Sequence, residues 1–74
     1  PHLHRAAAMF AQVEDRATEA LMWRRLAVSH ETLRELEEAH SAWERIRELR
    51  RGRDAAAEAE ALEAMARIGR ELHI

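Results

Sequence analysis

The chain has no lysine, no cysteine, no asparagine and no tyrosine, and only two glycines and one proline in 74 residues. Each gap removes a class of explanation. Without cysteine there is no disulfide, no thiolate zinc site and no sign of a redox compartment. With two glycines there is no flexible loop on which to build a phosphate cradle or a nucleophile turn, and no nucleophile triad or pair of catalytic carboxylates stands out. No apolar run approaches the ~20 residues of a membrane span. Charge recurs throughout the first thirty residues, so there is no signal-peptide pattern either. The expectation is a soluble protein, cytoplasmic if expressed in a cell, with no membrane partner.

The missing lysine has a consequence of its own. All twelve basic side chains are Arg, so the secondary amine of Pro1, if native and free, is the single aliphatic amine of the chain. Such an amine forms iminium and enamine adducts with carbonyl compounds, which makes Pro1 a candidate catalytic nucleophile or base. Tautomerases of the 4-oxalocrotonate type use an N-terminal proline in this way, but nothing here encodes their β-α-β fold. A terminus also frays unless it is packed.

What is present points to one architecture. Ala, Glu, Arg and Leu dominate, all strong helix formers, while β-branched residues are scarce. Seventy-four residues make one small domain, 1–74, near the lower limit for a self-sufficient core. Charged residues are 35% of the chain with a formal net charge of -2, which argues against nucleic-acid binding. The composition predicts an all-α, three-helix up-down-up bundle, with helices at about 4–27, 30–51 and 55–72.

Two turns separate those helices. In Arg51-Gly52-Arg53-Asp54, Gly52 suits a left-handed helix end and Asp54 suits the cap of the next helix. The other is placed at Ser29, a potential N-cap, with Glu31 in the first turn behind it; an unbroken helix through Ser29 is the alternative. Periodicity adds a tension. Leu3, Ala6, Phe10, Val13, Ala17 and Leu21 make one apolar stripe, but Met22, Leu26, Ser29, Leu33, Leu36, His40 and Trp43 make a second at heptad spacing, straight across the proposed turn. Either the chain bends there and re-aims its faces, or the second half of the first helix packs on a different partner, such as another copy of the chain. On the third helix Ala61, Leu62, Met65, Ile68 and Leu72 are expected inside, and Glu58, Glu60, Glu63, Arg67, Arg70 and Glu71 in solvent.

Three kinds of site follow. Met22, Trp23 and Leu26 are candidates for an interface with a second copy or a protein partner, because Trp23 lies off the first stripe and Trp anchors interfaces. Among the five histidines, His30 and His73 fall at the same end of an up-down-up bundle and could share zinc with Glu31 or Glu71. Glu71 and His73, two residues apart, face different ways on a helix. His40 follows Glu37 by three residues, the Glu-x-x-His unit of di-metal carboxylate bundles, which a symmetric dimer and an inward carboxylate such as Glu14 would have to complete. A buried His40 could also hold haem iron. His2 and His4 beside Pro1 offer unspecific copper or nickel chelation. For each histidine a plain structural role is the competing expectation.

Two resemblances close the list. Leu26-Ala27-Val28-Ser29-His30-Glu31-Thr32-Leu33-Arg34 resembles the turn of helix-turn-helix DNA-binding domains, but Glu31, Glu35, Glu37 and Glu38 on the following helix would repel phosphates. The Arg-Gly-Arg-Asp turn, the Ala/Glu/Arg surface positions and the missing residue types resemble a de novo designed helical bundle. That resemblance implies an interaction scaffold with no natural activity; an Arg-biased chain from a high-GC bacterium is the rival origin.

Overall fold

The computed structural model describes the backbone of residues 2–72 and the side chains of residues 15–72. It is a three-helix bundle: α1 spans His2–Thr32, α2 Leu36–Arg50 and α3 Ala55–Leu72. The stripe residues Leu3, Ala6, Phe10 and Val13 have side chains outside the described residues.

Helix α1 does not break at Ser29. It runs one turn further and ends at Thr32, whose hydroxyl donates to the Val28 carbonyl at 2.9 Å. The turn is Leu33-Arg34-Glu35. The Arg34 N–H bonds the Glu31 carbonyl at 3.0 Å and the Glu35 N–H bonds the His30 carbonyl at 2.8 Å. Those are the two bonds of a Schellman ending, with Arg34 in the left-handed position at φ 63°. A non-glycine residue pays a steric penalty there, so the usual glycine signal is missing. The Schellman contact between the flanking side chains is polar: His30 Nδ1 lies 3.3 Å from Glu35 Oε1.

The second turn follows its sequence closely. Arg51 at φ -55°, ψ 121° and Gly52 at φ 70° are the central residues of a type II turn, closed by the Arg53 N–H to the Arg50 carbonyl at 2.9 Å. Asp54 Oδ1 then accepts from the Ala57 N–H at 3.0 Å and caps α3. Glu58 reaches back to the Gly52 N–H at 3.2 Å, so one more exposed donor is satisfied.

Helix α2 is the centre of the bundle. Its buried residues Ala39, Ala42, Trp43, Ile46 and Leu49 recur every three or four positions, and both other helices pack on it. The core joins Ala27 of α1 to Ala39, Ala42, Trp43 and Ile46 of α2 and to Ala61, Ala64 and Ile68 of α3; Trp23, Leu36, Met65 and Leu72 cover its edges. Five of those eight core residues are alanine, so the helices approach closely around two large side chains from α2. Leu62, expected inside, is instead exposed, because Ala64 takes the inward position on that turn. Leu21 is exposed as well, since the inward face of α1 is set by Ala20 and Ala27.

The continuous heptad stripe does not survive the turn. Leu36 and Trp43 turn into the core and His40 is half-buried, while Met22, Leu26 and Leu33 point outward.

Helices α1 and α3 run parallel and meet through charge. No pair of Cα atoms from the two comes within 8 Å among the described residues. Three ion pairs span the gap: Arg24 with Glu60, Glu31 with Arg67, and Arg34 with Glu71. Glu60, Arg67 and Glu71 are therefore exposed to solvent, as expected, and also serve as rungs between helices. Beneath them a narrow groove of about 240 Å³ remains, with Ile46 at its base and Ala17, Ala20 and Ala57 along its sides.

Candidate functional site

The two tryptophans are held by one device used twice. Trp43 is buried, and its indole N–H donates to Glu31 Oε1 at 2.8 Å; Arg67 Nη2 donates to the same oxygen at 2.7 Å. One carboxylate of α1 thus joins α2 and α3. Trp23 is half-buried against the core, and its indole N–H donates to Glu19 Oε2 at 3.1 Å. Arg45 of α2 grips that same oxygen through Nε at 3.2 Å and Nη2 at 3.1 Å. Both indoles have the partner that a buried N–H requires.

These contacts set the charge states. The Trp23 indole, helped by Arg45, holds the Glu19 carboxyl below its ordinary value. The two hydrogen bonds from Arg24, at 2.9 and 3.0 Å, do the same for Glu60 and raise Arg24 in return. All are stabilised as ions.

Of the histidine sites, the structure describes only His30, His40 and the carboxylates of residues 15–72. His30 is engaged with Glu35, and Glu31 is taken by Trp43 and Arg67. Glu71 lies 3.4 Å from Arg34. His73 lies outside the described residues, as do Pro1 and the side chains of His2, His4 and Glu14. Glu37 borders an open cleft with Trp23, His30, Glu38, Ser41 and Ala42, whereas His40 does not line it. Among the described residues no three His, Asp or Glu side chains group so as to hold a metal ion.

The interface candidates divide. Trp23 belongs to the inner packing, on the side of α1 that meets α2. Met22 and Leu26 stay outward at 62% and 46% exposure, joined by Leu33 at 68%. Leu21 and Val28 form a second exposed ridge of α1, separated from the first by Thr18, Arg25 and Thr32. Over its last three turns α1 is therefore apolar on both sides, an arrangement that a helix at the surface of a finished fold does not need. Sequence periodicity had located Met22 and Leu26; Leu33 joined them there only as part of a stripe assigned across two helices.

Among the described residues no helix is long and apolar enough to cross a membrane. Comparison with protein-family models, with curated proteins and with solved structures returns no match, so the site rests on its own geometry.

Proposed function

We propose that this chain is a helical interaction module whose outward α1 face, Met22, Leu26, Ser29 and Leu33, pairs with the same face of a second copy. The observation that carries it is the exposure of Met22, Leu26 and Leu33, at spacings of four and seven residues, with Ser29 in the position between the last two. That spacing is the seam of a two-stranded coiled coil, and the small Ser29 lets two helices approach. A second copy offers the identical face, and a two-fold pair closes with that face covered on both copies.

The magnitude limits the strength. From Met22 to Leu33 the strip runs roughly 16 Å along the helix, short of the surface that a standard interface buries on each partner. Association is therefore weak and concentration-dependent. Replacing Met22 and Leu26 by Glu together should abolish it and leave the helical content unchanged, because neither side chain contributes to the core. Sedimentation equilibrium over a wide concentration range measures this. Equal self-association by the wild type and the double variant would eliminate the α1 face as the interface.

A further inference from the structure

Arginines gather at the end of the bundle that carries the α2–α3 turn. Arg16 of α1, Arg45 of α2 and Arg51 and Arg53 of the turn line one open cleft of about 410 Å³, with Leu49 in its wall and Glu48 as the acidic member of its lining. Arg45 is already committed, with Nη2 3.1 Å from Glu19 and Nη1 3.5 Å from Glu48. Arg16, Arg51 and Arg53 form no ion pair with any described residue. Arg47 Nε and Arg50 Nη1, in the last turn of α2, are buried with no hydrogen-bond partner among the described residues, but neither residue lines this cleft; Arg50 borders the groove beneath the Arg24–Glu60 pair.

A plainer explanation is that arginines gather where a helix ends, to complement its dipole. The C-terminus of α2 carries the equivalent of about half a negative charge. Arg47 and Arg50, in the last turn itself, already meet that. Three further unpaired guanidiniums exceed the need.

We propose that this cleft binds the diphosphate group of a soluble small molecule. Guanidinium forks match phosphate oxygens in paired hydrogen bonds. The cleft is far larger than one phosphate, and the three cations in it that pair with no described residue come from two separate places in the fold, α1 and the turn. A diphosphate spans such a set where a single phosphate meets only part of it. The net charge of -2 does not forbid this, because at physiological salt charges farther apart than about 8 Å are largely screened. It does disfavour a long polyanion, which would run on to acidic surface. The site is independent of the outward α1 face.

The test is a calorimetric titration of inorganic pyrophosphate into the whole chain at low salt, with two double variants and one single variant. R51Q/R53Q removes two charges from the cleft. R25Q/R70Q removes the same charge from exposed positions elsewhere, neither of which forms an ion pair with a described residue. Saturable one-site binding is expected, weakened about tenfold or more by R51Q/R53Q and less than about twofold by R25Q/R70Q. Arg16→Gln leaves the turn intact and should also weaken binding. The proposal is overturned by the absence of saturable binding, by equal losses in the two double variants, by no effect of Arg16→Gln, or by orthophosphate binding as tightly as pyrophosphate.

Discussion

The two sides of α1 are built from similar apolar residues and stand in opposite situations. Inward, Ala20 and Ala27 are buried, and Trp23 lies over the core with its indole N–H satisfied by Glu19. Outward, Met22, Leu26 and Leu33 have larger side chains and meet solvent. A helix whose bulk lies outside and whose alanines lie inside has spent its close approach on α2 and left its apolar volume for something else. The lesson is that burial in so small a bundle follows side-chain size and inter-helix distance, not hydrophobicity alone: Trp43 and Ile46 of α2 and Ile68 of α3 fill the core, and the buried positions of α1 are alanines.

Substitutions can break that contrast at several strengths. The largest effect is expected at the inner face's counterpart on α2. Trp43→Ala removes the largest core side chain and leaves Glu31 without its indole donor, so a loss of about 3–5 kcal/mol is expected, enough to unfold much of a domain this small. Chemical denaturation reads it; a loss under about 1 kcal/mol would mean the core is not centred on α2. Trp43→Phe keeps most of the volume and deletes the N–H, and should cost about 1 kcal/mol.

On the outer face, Met22→Glu with Leu26→Glu should shift stability by no more than about 0.5 kcal/mol while abolishing self-association. A large destabilisation there would show that these side chains are core residues after all. The turn between the helices offers a smaller, opposite effect. Arg34→Gly relieves the left-handed penalty at φ 63° at the expense of one exposed ion pair to Glu71, for a net gain of about 0.5–1 kcal/mol. An unfolding midpoint that fell instead would mean that the Arg34–Glu71 rung outweighs the backbone strain.

The smallest effect is in the pH dependence. Glu19 and Glu60 are held below their ordinary value of 4.5 in the folded chain, so each binds a proton less readily folded than unfolded. Their contribution is therefore complete above pH 4.5 and is lost as pH falls below it toward the folded-state values. Both carboxyls are substantially solvent-exposed, so the slope is shallow. Thermal melts from pH 6 to pH 3 should show Arg24→Gln flattening the acid limb; an unchanged limb would remove the Arg24–Glu60 rung from the balance.

Much of the fold was legible because helix-forming residues and the Gly52–Asp54 turn both act locally: a positive φ wants glycine, and an exposed helix start wants an acceptor. The other turn was misplaced by one helical turn for an equally local reason. Ser29 looks like a cap but sits inside the last turn of α1, and the true ending uses an arginine in a conformation that glycine usually takes. The rungs were illegible because Glu60, Arg67 and Glu71 each look like ordinary surface charge. Their meaning lies in a register of 36 or 37 residues to Arg24, Glu31 and Arg34, which appears only once α1 and α3 are set side by side. The outward α1 face was half visible: its spacing shows in the sequence, and of the two readings the stripe allowed, the bend that re-aims the faces is seen, with Leu36 and Trp43 in the core.

The most direct single measurement is the mass of the chain in solution by light scattering as concentration is raised. If the outward α1 face pairs copies, the mass should climb from 8.6 kDa toward twice that value, and the Met22→Glu, Leu26→Glu variant should stay at the lower one. A wild-type chain that holds 8.6 kDa at every concentration would contradict self-pairing through α1.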